Sequence, residues 1–245
     1  MRDRFGERAF AAAVLAGVAA LAAAAVVVLA YGSVPQPPSL REAPNPAIPG
    51  RILYTRTDGC AVSFEPSTGT ESVVYCLPSG FGTAVVWLDG STVAIAQPDA
   101  SGFVWYVLRL DAADEGLVRT DVTVSTFSLP APNQTLPTGE IVTVDRDGQV
   151  RLVDPRSGAT VQVVFDGPGH PTVAGWSPDG RWILLLVWRE GKGRQELWVV
   201  SRDGTDLAAV ATDVVGGAAS WWQEGVGVVP DLAERERLLE IARGR

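Results

Sequence analysis

The chain predicts an all-β fold: a small β-propeller of about four blades, preceded by one transmembrane helix and a Pro-rich linker and followed by a short C-terminal helix. Three observations in the 245 residues carry that expectation. Residues 173–211 pack four strand-like runs, separated by turn residues, into about 40 positions. Similar runs recur along the chain at intervals of about 40–48 residues, the period of a propeller blade. The first unit lacks one strand, and a strand without a unit stands near the C-terminus, so the two ends are expected to share a blade.

Within residues 173–211, Ser177-Pro178-Asp179-Gly180 has type I turn chemistry, with Ser first, Pro second and Gly fourth. A strand ending in Trp176 precedes it. Residues 181–188 follow as an almost unbroken apolar run, which predicts a strand covered on both faces. Residues 196–200 form the next strand, closed by Ser201-Arg202-Asp203-Gly204, and residues 206–211 form the fourth. This stretch, opening on Trp176-Ser177-Pro178-Asp179-Gly180 and carrying the later Asp203-Gly204 turn, resembles the TolB-type propeller repeat. The resemblance implies a propeller and contact with another protein; it names no partner.

The other units copy this plan less closely. Residues 92–97 follow Trp87-Leu88-Asp89-Gly90, residues 140–145 follow Leu136-Pro137-Thr138-Gly139, and residues 225–229 follow Trp222-Gln223-Glu224-Gly225. The first unit has strands near 51–56, 60–65 and 71–76, the second spans 83–122, and the third spans about 124–165. Residues 217–222 are the strand expected to complete the first unit; a fifth, irregular blade is the competing count. The propeller domain is thus expected over 51–230. Residues 231–245 read as a helix with Asp231 as N-cap after Pro230, its Leu232, Leu238, Leu239 and Ala242 lying across the domain.

Residues 9–31 carry no charge, and at about 1.5 Å per residue they can cross a hydrocarbon core of about 30 Å. Arg2, Arg4 and Arg8 in residues 1–8 keep the N-terminus cytoplasmic by the positive-inside rule. A signal peptide cleaved after Val28-Leu29-Ala30 is the alternative, but the run exceeds the usual apolar length of such peptides. The expectation is a single-pass anchor in the bilayer with the propeller outside. Residues 32–50, with six Pro, form a semi-rigid spacer.

The formal charge of −8 makes nucleic acid an unexpected partner, because phosphate backbones are held by cationic surfaces. Cys60 and Cys76 lie almost equidistant from the turn at residues 66–69, so they are expected to face each other across a hairpin as a disulfide. His170 sits in a Pro/Gly-rich connection and reads as an exposed loop residue. There is no Gly-x-Ser-x-Gly, so no enzyme, cofactor or metal is expected. Asp145-Arg146-Asp147-Gly148 opens like a calcium loop but reads as a hairpin turn. Trp87, Trp105, Trp176, Trp182, Trp188 and Trp198 are expected to pack between blades. Trp221 and Trp222 are adjacent in a strand and must point to opposite faces. Residues 125–138 interrupt the repeat and include Asn133 in a glycosylation pattern. Phe127, Leu129, Asn133, Trp221 and Trp222 are the candidate partner contacts. The function expected is a membrane-anchored, extracytoplasmic, non-enzymatic protein-binding or scaffold module of the cell envelope, with another envelope protein as partner. The alternative is a lectin-like module sensing a small ligand or glycan, which an exposed Trp among convergent polar groups would favour.

Overall fold

The computed structural model describes residues 41–42, 44–76, 84–100, 102–112, 116–124, 135–189, 194–215 and 219–244, all within one compact unit of residues 38–245. A short strand, β1 (Arg41–Glu42), comes first. Blade one contributes β2 (Arg51–Thr55), β3 (Cys60–Glu65) and β4 (Thr70–Cys76), and blade two β5 (Val85–Trp87), β6 (Thr92–Asp99), β7 (Gly102–Arg109) and β8 (Val118–Thr123). Blade three holds β9 (Ile141–Val144), β10 (Val150–Val153) and β11 (Thr160–Phe165). Blade four holds β12 (His170–Trp176), β13 (Trp182–Trp188), β14 (Gln195–Ser201) and β15 (Leu207–Val214), and the chain ends in β16 (Ser220–Gln223), β17 (Gly227–Val229) and helix α1 (Arg235–Arg243). Among the described residues these strands make four sheets, antiparallel except where β1 joins β15 in parallel.

The two ends share blade one. β16 pairs antiparallel with β2, Ser220 opposite Leu53 and Trp221 opposite Ile52, giving the order β17-β16-β2-β3-β4. The strand within residues 225–229 departs from its expected place as a second strand. β2 already occupies that side of β16, so β17 turns back along the other side. Val228 joins the apolar cluster between blades one and two, while Val229 packs against the cluster between blades three and four.

β13 shows why a wholly apolar strand needs two covered faces. Trp182, Leu184 and Leu186 pack with Ile52, Tyr54 and Trp221 of blade one, whereas Ile183, Leu185 and Val187 pack with Val142, Leu152 and Phe165 of blade three. A further cluster, built on Leu53, Trp87, Val93 and Ile95, joins blades one and two. The blades therefore stack in the order three, four, one, two. Among the described residues no apolar cluster joins blade two to blade three. Instead α1 lays Leu238, Leu239 and Ala242 against Val86, Ala94, Trp105 and Val118 of blade two.

Three boundaries differ from expectation. The helix begins at Arg235 with Glu234 at its cap position and no side-chain cap, so Asp231 is not the N-cap. Its start is set by burial of Leu238 and Leu239 and by Arg235, whose Nε donates to the Leu88 carbonyl at 2.6 Å. Of the expected spacer, residues 41–42 and 44–50 lie within the folded unit. Ile48 is buried, and the Trp221 indole, buried between blades, donates Nε1–H to the Pro49 carbonyl at 2.8 Å, which pairs a donor that burial removes from water. Trp188, expected between blades, is the last residue of β13 and is 44% exposed. Residues 9–31 lie outside the described residues. Among the described residues no helix is long and apolar enough to cross a membrane.

Cys60 and Cys76 form a disulfide across β3 and β4. From Glu65 opposite Thr70 the hairpin steps regularly to Val62 opposite Val73. Continued unchanged, that register would set Cys60 against Tyr75. A bulge leaves Val74 without an opposite residue, and Cys60 then meets Cys76. The Cys60→Ser variant should lose about 2–4 kcal/mol of stability. Urea unfolding with and without reductant checks this: reductant should bring the parent to the variant's midpoint and leave the variant unmoved.

Candidate functional site

The hairpin turns use their Asp side chains internally. Ser177 Oγ donates to Asp179 Oδ1 at 2.6 Å and accepts the Trp182 N–H at 3.0 Å. Ser201 repeats the arrangement with Asp203 at 2.6 Å and the Asp206 N–H at 2.9 Å. Asp145 Oδ1 accepts the N–H groups of Asp147 and Gln149, both at 2.9 Å, and its other oxygen lies 2.6 Å from Arg151 Nη2. Asp145-Arg146-Asp147-Gly148 is therefore a locked turn. These short side-chain acceptors satisfy backbone donors that a tight turn leaves unpaired.

The turns that follow the innermost strands gather at one end of the blade stack. Gln223 Nε2 donates to Asp179 Oδ2 at 3.3 Å, linking blades one and four. Pro137 and Thr138 of blade three approach Gly180 so closely that a Cβ there would lie 3.3 Å from Pro137 Cδ. Arg51 bridges to blade two by donating from Nη2 to the Gly90 carbonyl. Its guanidinium sits 4.5 Å from the Trp222 ring centroid and 4.8 Å from that of Trp87, and the two indoles are 6.5 Å apart and tilted by 48°. A cation between two such rings is held by both quadrupoles. Gly90 is required here, since a Cβ would fall 2.6 Å from Trp222 Cζ2. Beneath, Ser220 is fully buried; its Oγ accepts the Trp87 N–H and donates to the Val229 carbonyl, both at 3.0 Å.

Beside this cluster opens a recess of ≈ 520 Å³ lined by Pro49, Gly50, Arg51, Glu65, Trp222, Gln223 and Glu224. Its chemistry is mixed: two carboxylates, one guanidinium, an amide and an indole. Gln223 Oε1 is buried without a hydrogen-bond partner among the described residues. Of the expected contacts, Trp222 lies half-buried in this wall. Trp221 is fully buried between blades one and four and is closed to a partner. Phe127, Leu129 and Asn133 lie outside the described residues. His170 is exposed, as the first residue of β12. Arg51, Glu65, Gln223 and Glu224 escaped the sequence reading. A signal for two of them existed, since Gln223 and Glu224 occupy the turn position held in blade four by Ser177-Pro178-Asp179-Gly180.

Several carboxylates near the turns titrate below the usual range. A hydrogen bond from Thr138, opposed by burial, and then Arg202 hold the Glu140 carboxyl down; the Arg202 contact also ties blade three to blade four. Ser201 and then Thr205 do the same for Asp203, and backbone N–H groups, led by that of Arg156, do so for Asp154. With folded pKa values below unfolded ones, the unfolded chain takes up more protons as acid is added. Stability should thus be level above the ordinary carboxylate range of about 4 and fall as pH drops through it. Melting temperatures between about pH 2.5 and 7 check this; a rise on acidification would contradict it.

No protein-family model matches the chain, and no curated protein matches it. Among solved structures it is similar to TolB from Acinetobacter baumannii, at 12% identity over 64% of this chain and 40% of that one, with a TM-score of 0.25. An Agrobacterium tumefaciens protein described as a TolB is 20% identical over 68% of this chain and 60% of that one, TM-score 0.25. A chain of a nidogen/laminin complex is 15% identical over 72% and 71%, TM-score 0.30. This chain therefore spans less than two thirds of both TolB structures. The neighbours are TolB and other β-propeller proteins at low TM-scores, and the fold rests on the strand pairing described above.

Proposed function

We propose that this protein is a binding module of the cell envelope that engages another protein through the recess beside Trp222. In this reading residues 9–31 anchor it, with the N-terminus cytoplasmic, the propeller outside and no chemistry performed. The observation that carries it is a mixed-charge recess built on blade one and the segment before it, whose Arg51 and Gln223 are braced by the Gly90 carbonyl of blade two and by Asp179 of blade four, since binding surfaces sit on loops held by a stiff scaffold. The Cys60–Cys76 disulfide supports an extracytoplasmic setting, where such bonds persist. The glycan-sensing alternative is weaker. A sugar stacks on a free aromatic face, and Arg51 covers one face of Trp222 while Gly90 lies against the same ring.

The test is affinity isolation of full-length protein from solubilised membranes, parent against Glu224→Arg. The parent should capture a discrete envelope protein, and the variant should lose it while melting like the parent. Capture unaffected by Glu224→Arg removes the recess from the interaction, and capture displaced by free sugars would favour the glycan reading. A mature N-terminus at Tyr31 would refute the anchor.

A further inference from the structure

The hydrogen-bonding groups of the recess beside Trp222 are out of balance. Its carboxylates, Glu65 and Glu224, outnumber its one guanidinium, Arg51. Arg51 is already engaged, resting on the Trp87 and Trp222 rings and donating to the Gly90 carbonyl. Glu65 accepts a hydrogen bond from Ser67 Oγ at 3.2 Å, and Glu224 is exposed. Among the described residues neither carboxylate is in an ion pair. Neighbouring turns differ: Arg202 holds Glu140, and Ser201 and Thr205 hold Asp203. An observation independent of the carboxylates points the same way. Gln223 commits Nε2 to Asp179 Oδ2 at 3.3 Å, which fixes the amide, and its Oε1 is a buried acceptor with no donor among the described residues. The recess therefore offers negative charge and acceptors in excess of donors.

We propose that the protein docked at this recess inserts an arginine side chain into it, the guanidinium taken by Glu65 and Glu224 and the stem lying along the Trp222 indole. This rests on the recess being the docking site proposed above, and it adds the chemistry of what docks. A guanidinium has five N–H donors and no acceptor, the complement of a site rich in acceptors. Arginine is enriched at protein interfaces, and its apolar stem packs well on an aromatic wall. The volume of ≈ 520 Å³ is ample for one such side chain. A divalent metal ion is a poor fit, because it takes about six oxygen ligands, and no group of three or more metal-binding side chains lies among the described residues. An acidic partner would meet like charge.

The test uses the full chain in detergent micelles with arginine amide as the probe, against citrulline amide, its uncharged isostere. Binding is read on the Trp222 indole N–H resonance, assigned with Trp222→Phe. Arginine amide should shift that resonance saturably, and citrulline amide should not. Glu65→Gln combined with Glu224→Gln keeps shape and removes charge; it should weaken arginine amide by roughly fivefold, the scale of partly exposed charge pairs, while melting like the parent. The double variant should also lose capture of the envelope protein, and arginine amide should displace that protein from the parent where citrulline amide does not. Equal shifts by the two amides, or arginine amide binding unchanged in the double variant, overturns the proposal. So does capture that Glu224→Arg abolishes but the double variant keeps; the recess then remains the docking site, recognised by shape and not by charge. Capture kept in every variant removes the recess itself, and this proposal with it.

Discussion

Replacing Trp221 with Ala should destabilise the domain by about 3–5 kcal/mol, the usual loss for emptying a buried aromatic site. The ring is fully buried among Ile52, Tyr54, Trp182 and Leu184, on the seam where the C-terminal end meets blades one and four. The substitution also orphans the Pro49 carbonyl, which loses its 2.8 Å donor. For a domain of this size the melting temperature should fall by roughly 6–20 °C. Trp222→Ala provides the contrast. That ring is half-buried, and its contact with Arg51 is worth about 0.5–1 kcal/mol, so with its partial burial the loss should be about 1–2 kcal/mol. Thermal unfolding of the two variants followed by circular dichroism separates them. Equal losses would mean that the seam is not closed by β16 as described.

Deleting residues 231–245 should be nearly as damaging, although it removes no strand. Leu238 and Leu239 are buried to 0% and 2% exposure against blade two, and each contributes about 1.5–3 kcal/mol by leaving water. The deletion also uncovers Val86, Ala94, Trp105 and Val118, the face that a neighbouring blade would cover in a fully packed ring. The truncated protein should therefore both melt earlier and associate non-specifically. In the full chain, Leu238→Asp should reproduce the effect, because an unpaired carboxylate cannot be accommodated there. Asp231→Ala should change stability by less than about 0.5 kcal/mol, since Asp231 caps nothing and only approaches Arg235 at 3.9 Å. Calorimetry and light scattering on the three variants decide; a truncation that melts like the parent would show α1 to be an ornament on blade two.

What the sequence by itself determined is what short-range chemistry controls. Ser177-Pro178-Asp179-Gly180 and Ser201-Arg202-Asp203-Gly204 define their turns with their own hydroxyls and carboxylates, so β12 to β15 fall within a few residues of expectation. The unbroken apolar run of β13 required two covering faces, and the incomplete first unit required a strand from the far end; both requirements are met. The hairpin turn at residues 66–69 brought Cys60 within one residue of its partner. Only tertiary structure decided the rest. A single bulge at Val74 selects Cys76 over Tyr75, an extra residue that counting from the turn does not reveal. β17 turns inward because β2, more than 160 positions earlier, already holds the other side of β16. The site escaped for the same reason. Arg51 reads as the first residue of a strand, and its role appears only when closure brings Trp222 beside it and blade two supplies Trp87 and the Gly90 carbonyl. Local spacing fixes which residues share a face of one strand, while the meeting of faces from distant strands depends on how the blades stack.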